Sequence, residues 1–339
     1  MIEVNVFLVL INYSIQKTRL FIYFSAVNYR GMKIKNFNYL QFQLTPDYEG
    51  EVEATFISAN TNTHKRPVIL YIHGFIDYFF HPHVAAFLDE NGYDFTALEL
   101  RKYGHALLPH QHVNYCKSVE EYFEELDKSI LKLREINDQE IILMGHSTGG
   151  LVSSLYMNKG NQRSQISALV LNSPFLEVNM PTMVRNILKP LSKWGGGIDP
   201  YWKLNGMLPP IYAESIHKDY KGEWDFDTSL KPIEGLPVYF KWSRAIMEAQ
   251  DELKSKSNIQ IPILLMHSHD SYLPNKHEER VMNSDVVLNV QHIKSNGMKL
   301  GPNVTDLEIK NGIHDLFLSS QEVRGEALNK MLDWLKNTV

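Results

Sequence analysis

Ile141-Ile142-Leu143-Met144-Gly145-His146-Ser147-Thr148-Gly149-Gly150 is the stretch that decides how this chain is read. A short apolar run drives into Gly-His-Ser-Thr-Gly, and a helix-like segment follows from Leu151. The pattern predicts strand, sharp turn and helix, with Ser147 at the apex. A serine hydroxyl is a weak nucleophile and has to stand clear of the backbone, where a base can reach its proton. A strained strand-to-helix turn gives that exposure, and glycines two before and two after the serine supply the room it needs. The helix N-terminus behind the serine aims free backbone N–H groups at any negative charge developing in front of it. A glycine-rich turn in a non-catalytic domain could match the same five positions, but the strand before and the helix after favour a nucleophile.

Outward from this turn the sequence alternates. Residues 67–72 form a continuous apolar run, the mark of a strand buried on both faces of a parallel sheet. A helix is expected over 82–91, closed by Gly92, and a strand over 93–100. Residues 118–136 read as a long amphipathic helix with Ser118 as N-cap and Glu120 and Glu121 in its first turn. Strand 140–144, the turn with its helix to about 157, and strand 166–171 follow. This order predicts an α/β class fold: a mostly parallel sheet with helices on both faces and ligands bound beyond the carboxyl ends of the strands. His73-Gly74, Ser147 and Ser173-Pro174 lie at such ends. Ahead of these, 39–44 and 52–57 read as a hairpin leading into the domain.

From 175 to 259 the rhythm breaks. The stretch holds Gly195-Gly196-Gly197 and Trp194, Trp202, Trp224 and Trp242, and fits neither the strand nor the simple helix pattern. It is expected to be a cap inserted over the strand ends, its aromatics packing mainly on one another and partly lining an apolar pocket. The sheet resumes at 262–266, followed by a helix over 290–298, a last strand at 304–309 and a closing helix over 322–336. Residues 1–31 read unlike the rest and are expected to be an extension with little part in the chemistry. That leaves a core of 32–174 and 260–339 around the cap at 175–259.

The 339 residues are 44% hydrophobic and 22% charged, an ordinary globular balance with length for one large core carrying an insertion. A net charge of −5 gives no electrostatic case for nucleic acid or an anionic membrane as partner. The single cysteine, Cys116, excludes an internal disulfide framework, fits a reducing compartment and reads as structural. The apolar run from Val6 to Ile11 is far short of the roughly 20 residues that span a bilayer, and Glu3 stands where a secretion signal would carry basic residues.

A serine nucleophile needs a base, and the base needs an orienting acid. On a strand–turn–helix elbow the chain order is serine, acid, histidine, with the histidine after the last strand. Ile309-Lys310-Asn311-Gly312-Ile313-His314-Asp315 supplies His314 in that place. Two aspartates compete as the acid. Asp270 follows strand 262–266 directly, and Asp285 comes later, in Ser284-Asp285-Val286. Asp285 lies 29 residues before His314, enough for one helix, one strand and two short loops. Asp270 would require an added loop of about fifteen residues on the way to the histidine, longer than most connections. Spacing therefore favours Asp285, with Asp270 as the alternative. Two backbone N–H groups are needed for the oxyanion. Thr148, after the nucleophile, and Phe75, in the loop after His73-Gly74, are the expected donors. Asp77 in that loop either accepts its backbone N–H groups or caps the helix near Pro82. His81-Pro82-His83 and His110-Gln111-His112 lack neighbouring carboxylates or cysteines at ligand spacing, so no metal or other cofactor is expected.

With these residues placed, the chain resembles the α/β-hydrolase superfamily, and within it the monoacylglycerol lipase, lysophospholipase and S33 serine aminopeptidase-like group. The resemblance spans roughly 38–339. It is carried by Tyr71-Ile72-His73-Gly74-Phe75-Ile76-Asp77, Leu98-Glu99-Leu100-Arg101-Lys102-Tyr103-Gly104-His105, Gly145-His146-Ser147-Thr148-Gly149-Gly150, Ser284-Asp285-Val286-Val287-Leu288-Asn289-Val290 and Gly312-Ile313-His314-Asp315-Leu316. It implies a nucleophile at Ser147, a base at His314, an acid in the Asp285 motif and a cytoplasmic location. The function expected is hydrolysis of a small-molecule acyl ester such as a lysophospholipid, monoacylglycerol or aryl ester. The alternative is a peptidase releasing N-terminal residues, which would want a carboxylate in the cap; Glu214, Asp219, Glu223, Asp225 and Asp227 are available. A binding protein that kept the fold is the third reading, and an intact triad argues against it.

Overall fold

Apolar runs became buried strands. The computed structural model describes residues 33–136, 138–178, 199–204, 210–272 and 278–339. The strands of its main sheet are β1 (Phe37–Gln43), β2 (Glu53–Ala59), β3 (Val68–Ile72), β4 (Asp94–Glu99), β5 (Ile141–His146) and β6 (Ile166–Asn172), and after an insertion β9 (Ile263–Ser268) and β10 (Val304–Ile309). Their spatial order is β1-β2-β4-β3-β5-β6-β9-β10. β2 pairs antiparallel with both neighbours, and the other pairings in this sheet are parallel. The central strands β3, β4, β5 and β9 are buried end to end, as expected for a sheet covered on both faces.

The helices divide between the faces. On one lie α2 (Phe123–Ile136), α3 (Thr148–Lys159), α5 (Phe240–Lys256) and α6 (Val290–Gly297); on the other lie α1 (Pro82–Glu90) and α7 (Gln321–Thr338). The period of two in β5 shows why both layers exist: Leu143 packs with α2 and α3, while Ile142 and Met144 pack with α1 and α7. α3 is buried on every side from Thr148 to Met157, so it is fixed by packing rather than by amphipathicity.

Two expectations need correction. The helix expected over 118–136 begins as a 3₁₀ turn, Val119–Tyr122, before α2. Ser118 does cap it, in a reciprocal box with Glu121. The stretch 175–259 was expected to hold no simple helix, yet α5 is a 17-residue amphipathic one. Trp242, Ala245, Ile246, Ala249 and Leu253 recur at helical spacing and pack on the face that holds α3. Neighbouring prolines and aromatics obscured that period, and the α5 crossover carries the chain from β6 back to a parallel strand. The other described parts of the insertion are β7 (Lys203–Leu204), paired antiparallel with β8 (Val238–Tyr239), and the short α4 (Ile211–Ile216). Gly195-Gly196-Gly197 and Trp194 of the expected cap, and the extension 1–31, lie outside the described residues.

Buried charge locks the strand ends that face the site. Glu99, at the end of β4, accepts the N–H groups of Phe79 at 3.1 Å and His105 at 2.7 Å. Gly104 is at φ +47°, and a Cβ there would come within 2.6 Å of the Glu99 carboxylate. Arg101 forks onto the fully buried Glu125 of α2, Nη2 to Oε2 at 2.7 Å and Nε to Oε1 at 3.0 Å. Arg101→Met leaves the Glu125 carboxyl buried with the backbone N–H of residue 101 in place of the guanidinium fork. The variant is expected to lose about 3–5 kcal/mol, read as a lower urea-unfolding midpoint; an unchanged midpoint would contradict the role given to this pair.

Candidate active site

Ser147 sits where strand β5 becomes helix α3, at φ 51° and ψ −116°. A non-glycine residue in such a region costs of order 1–3 kcal/mol and persists only where its surroundings hold it. Here they do. The Ser147 N–H donates to Asn172 O at 3.0 Å, and its carbonyl accepts from Phe175 at 2.9 Å and Leu151 at 3.2 Å. The flanking glycines are there because backbone passes too close for a side chain. A Cβ on Gly145 would lie 2.5 Å from Gly149 O, and one on Gly149 would lie 2.3 Å from Ile72 O.

The three residues expected to act together are in contact. His314 Nε2 is 3.0 Å from Ser147 Oγ, and Nδ1 is 2.9 Å from Asp285 Oδ2. A carboxylate can only accept, so Nδ1 carries the proton and Nε2 accepts from the serine hydroxyl. Asp285 is 0% exposed, and its other oxygen accepts the N–H groups of Val287 and Leu288, both at 2.8 Å. Asp270 is turned away: its carboxylate takes Arg280 Nη2 at 2.5 Å in a partly exposed pair, which lowers its pKa. The two aspartates are nonetheless backbone neighbours, since the Asp285 N–H donates to Asp270 O at 2.9 Å. The loop after β9 thus brings in the second aspartate rather than the first.

Phe75 and Thr148 flank the serine, on the loop after β3 and at the first residue of α3. Among the described residues neither amide has a protein acceptor. Asp77 settles between its two readings: its Oδ2 accepts the Gly74 N–H at 3.2 Å, whereas α1 is preceded by His81 and has no side-chain cap.

A sequence model of the family described as serine aminopeptidase, S33, matches residues 63–292. The chain belongs to that family. Solved structures share its fold. A monoglyceride lipase variant from Saccharomyces cerevisiae, bound to a substrate analogue, is 15% identical with a TM-score of 0.63 over 91% of this chain and 99% of that one. The monoacylglycerol lipase of Paleococcus ferrophilus is 17% identical, with a TM-score of 0.60 over 89% of this chain and 100% of that one. A carboxyl esterase from Bacillus coagulans, in complex with glycerol, is 14% identical, with a TM-score of 0.64 over 90% and 99%. No curated protein sequence matches the chain. The architecture is the α/β-hydrolase fold, and this member of the S33 family is a hydrolase by descent.

In front of Ser147 lies a cavity of about 510 Å³ with largely apolar walls, among them Phe175, Ile211, Met247 and Val287. Trp242 of α5 stacks on Phe75 with ring centroids 4.1 Å apart, so the insertion helps form the wall beside Ser147. Trp224, by contrast, donates to Leu318 O and packs against His83.

Sequence reading missed a second buried cluster beside this S33 site. Asp315, next to His314, accepts from Asn172 Nδ2 at 2.8 Å and the Phe317 N–H at 3.0 Å through Oδ1, and meets His81 Nε2 at 2.9 Å through Oδ2. Burial would raise the Asp315 carboxyl, but His146, His81 and Asn172 hold it below the usual range. Only the adjacency of Asp315 to His314 could have signalled it. The histidine pairs go elsewhere: His83 to Phe317 O, His110 to Glu51 O, His112 to Glu49. Cys116 is buried, which pushes its thiol up to about 12. Among the described residues no helix is long and apolar enough to cross a membrane.

His146, between Gly145 and Ser147, is neutral by burial. Its Nδ1–H donates to Asn172 O at 3.1 Å, and burial pushes its pKa from 6.5 down to about 4. A depressed folded pKa means that the stability His146 contributes is complete above pH 6.5 and is lost as pH falls through about 4. The urea midpoint is therefore expected to fall between pH 6.5 and 4, and to fall less in His146→Asn, whose amide reproduces the Nδ1–H donor. Superimposable pH profiles for the two proteins would contradict the assignment.

Proposed function

We propose that this chain is a serine hydrolase of carboxylic esters. The observation that carries the reading is the buried relay from Ser147 through His314 to Asp285, at 3.0 and 2.9 Å. Ser147 Oγ attacks the acyl carbonyl while His314 Nε2 takes its proton. Asp285 holds the imidazole in the required tautomer and stabilises its cation. The carbonyl oxygen becomes the oxyanion and is met by the amides of Phe75 and Thr148, the latter reinforced by the N-terminus of α3. Collapse expels the alcohol, protonated by His314, and leaves Ser147 acylated. Water, activated by the same histidine, then frees the acid. Chemistry of this kind calls for no cofactor.

The cavity favours an ester over a peptide with a free amino terminus. Among the described residues that line it, Asp77 is the one carboxylate, and it is bonded to Lys231 at 2.7 Å. Of the acidic residues available in the insertion, Asp225 pairs with Lys218 and Glu223 with Arg324, and none of Glu214, Asp219, Glu223, Asp225 and Asp227 lines the cavity. Among the described residues the chamber therefore offers an ammonium group no free counter-charge. The chamber of about 510 Å³ is within the size range of small-molecule sites, and its largely apolar walls suit the acyl chain of a monoacylglycerol or a similar ester. Two of the similar structures are lipases of such esters, in keeping with this substrate class.

Purified protein is expected to hydrolyse monoacylglycerols and p-nitrophenyl esters and to leave aminoacyl-anilides intact. Ser147→Ala should abolish turnover, and Asp285→Asn should lower kcat by about 10⁴ through the wrong histidine tautomer. Asp270→Asn should stay near wild type. Ester hydrolysis by Ser147→Ala at the wild-type rate, or a larger loss in Asp270→Asn than in Asp285→Asn, would overturn the assignment.

A further inference from the structure

The insertion reaches the oxyanion loop through a lysine. Lys231, beyond α4, is 6% exposed, and its ammonium donates to Asp77 Oδ1 at 2.7 Å. The other oxygen of Asp77 accepts the Gly74 N–H at 3.2 Å. One buried carboxylate thus joins the insertion to the residue preceding Phe75. Two more contacts tie the same segments together. The Asp227 N–H donates to Tyr78 Oη at 2.7 Å, and the Phe80 and Phe226 rings pack at 5.2 Å. The Lys231 ammonium also lies 5.2 Å from the Phe80 ring centre and 5.8 Å from that of Phe226, so aromatic faces help carry its charge.

The loop needs such holding. Ile76, between Phe75 and Asp77, is at φ 50°, a left-handed conformation that crowds a β-branched side chain. Backbone of this kind is kept only where its neighbours over-determine it. Glu99 secures the far end by accepting the Phe79 N–H. Asp77 secures the near end, and its buried carboxylate is paired with the Lys231 ammonium. Burial would raise the Asp77 carboxyl, but Lys231 and three nearby histidines hold it below its usual range.

We propose that Lys231 is a positioning residue: through Asp77 it sets the loop that presents the Phe75 amide, so that seating the insertion and aligning the oxyanion donor are one event. This inference rests on the ester-hydrolase reading and adds to it a residue that acts on the transition state through another side chain. Lys231→Met keeps the aliphatic stem and removes the charge.

The test uses two ligands. A trifluoromethyl ketone accepts Ser147 Oγ at its carbonyl carbon, the π pair moving to oxygen and the serine proton to His314, so its affinity reads the oxyanion donors. A non-electrophilic ether of the same chain reads only the cavity. In Lys231→Met, kcat on a p-nitrophenyl ester should fall roughly 10- to 100-fold, as for a misplaced catalytic group, with KM little changed. The ketone should weaken by the same factor as kcat/KM, and the ether should bind as before. The double variant Lys231→Met, Asp77→Asn removes the unpaired charge; it should regain the wild-type Tm while kcat stays low, and it stands in for the single variant if that fails to fold. An unchanged kcat in Lys231→Met, equal weakening of ketone and ether, or recovery of kcat together with Tm in the double variant would each overturn the proposal. Absence of ester turnover by the wild-type protein would overturn the underlying reading as well.

Discussion

The first turn of α3 presses against the carboxyl end of β3 so closely that a single methyl group at Gly149 would meet the carbonyls of Ile72 and His73 at 2.3 and 2.4 Å. Much of the site follows from that contact. With Ile72 and Gly145 paired across β3 and β5, the loop leaving β3 and the helix leaving β5 start side by side. Phe75 and Thr148 therefore flank one point in space, and Ser147 is forced into a conformation that thrusts its hydroxyl toward it. The strain at Ser147 is the local cost of this arrangement, and hydrogen bonds from β6 and from Phe175 offset it.

The remaining parts come from the next strands along. β9 and β10 deliver Asp285 and His314, and their loops are cross-braced: Ser268 Oγ donates to Gly312 O at 2.6 Å, and the Asn311 N–H donates to His269 Nδ1 at 3.1 Å. Asn172, at the end of β6, bonds Asp315 and so steadies the residue after His314. Three of the buried carboxylates, Asp77, Asp285 and Asp315, each have both oxygens occupied by neutral or cationic donors. Such groups are tolerated in a dry site only on that condition, and satisfying them fixes the loops that carry them.

The features legible in the sequence were those written in local pattern or spacing. The apolar runs gave the inner strands, Gly145-His146-Ser147-Thr148-Gly149 gave the elbow, and loop-length reasoning pointed to Asp285, the aspartate found against His314. Features built from distant pairs carried no such mark. Lys231 meets Asp77 across 154 residues and His81 meets Asp315 across 234, and neither pair shows a periodicity or a motif. Helix α5 was hidden for a different reason: it follows a Pro- and aromatic-rich stretch, and Trp242 near its start reads as part of that stretch although it packs with the core.

The central claim is that Ser147 is a nucleophile made reactive by His314. Labelling with a fluorophosphonate, followed by intact mass and peptide mapping, tests it most directly, because the probe needs an activated serine and an oxyanion site but no particular leaving alcohol. One adduct per chain is expected, on the peptide containing Ser147, formed far more slowly in His314→Gln. An unlabelled protein, an adduct on another residue, or equal labelling of His314→Gln would contradict it.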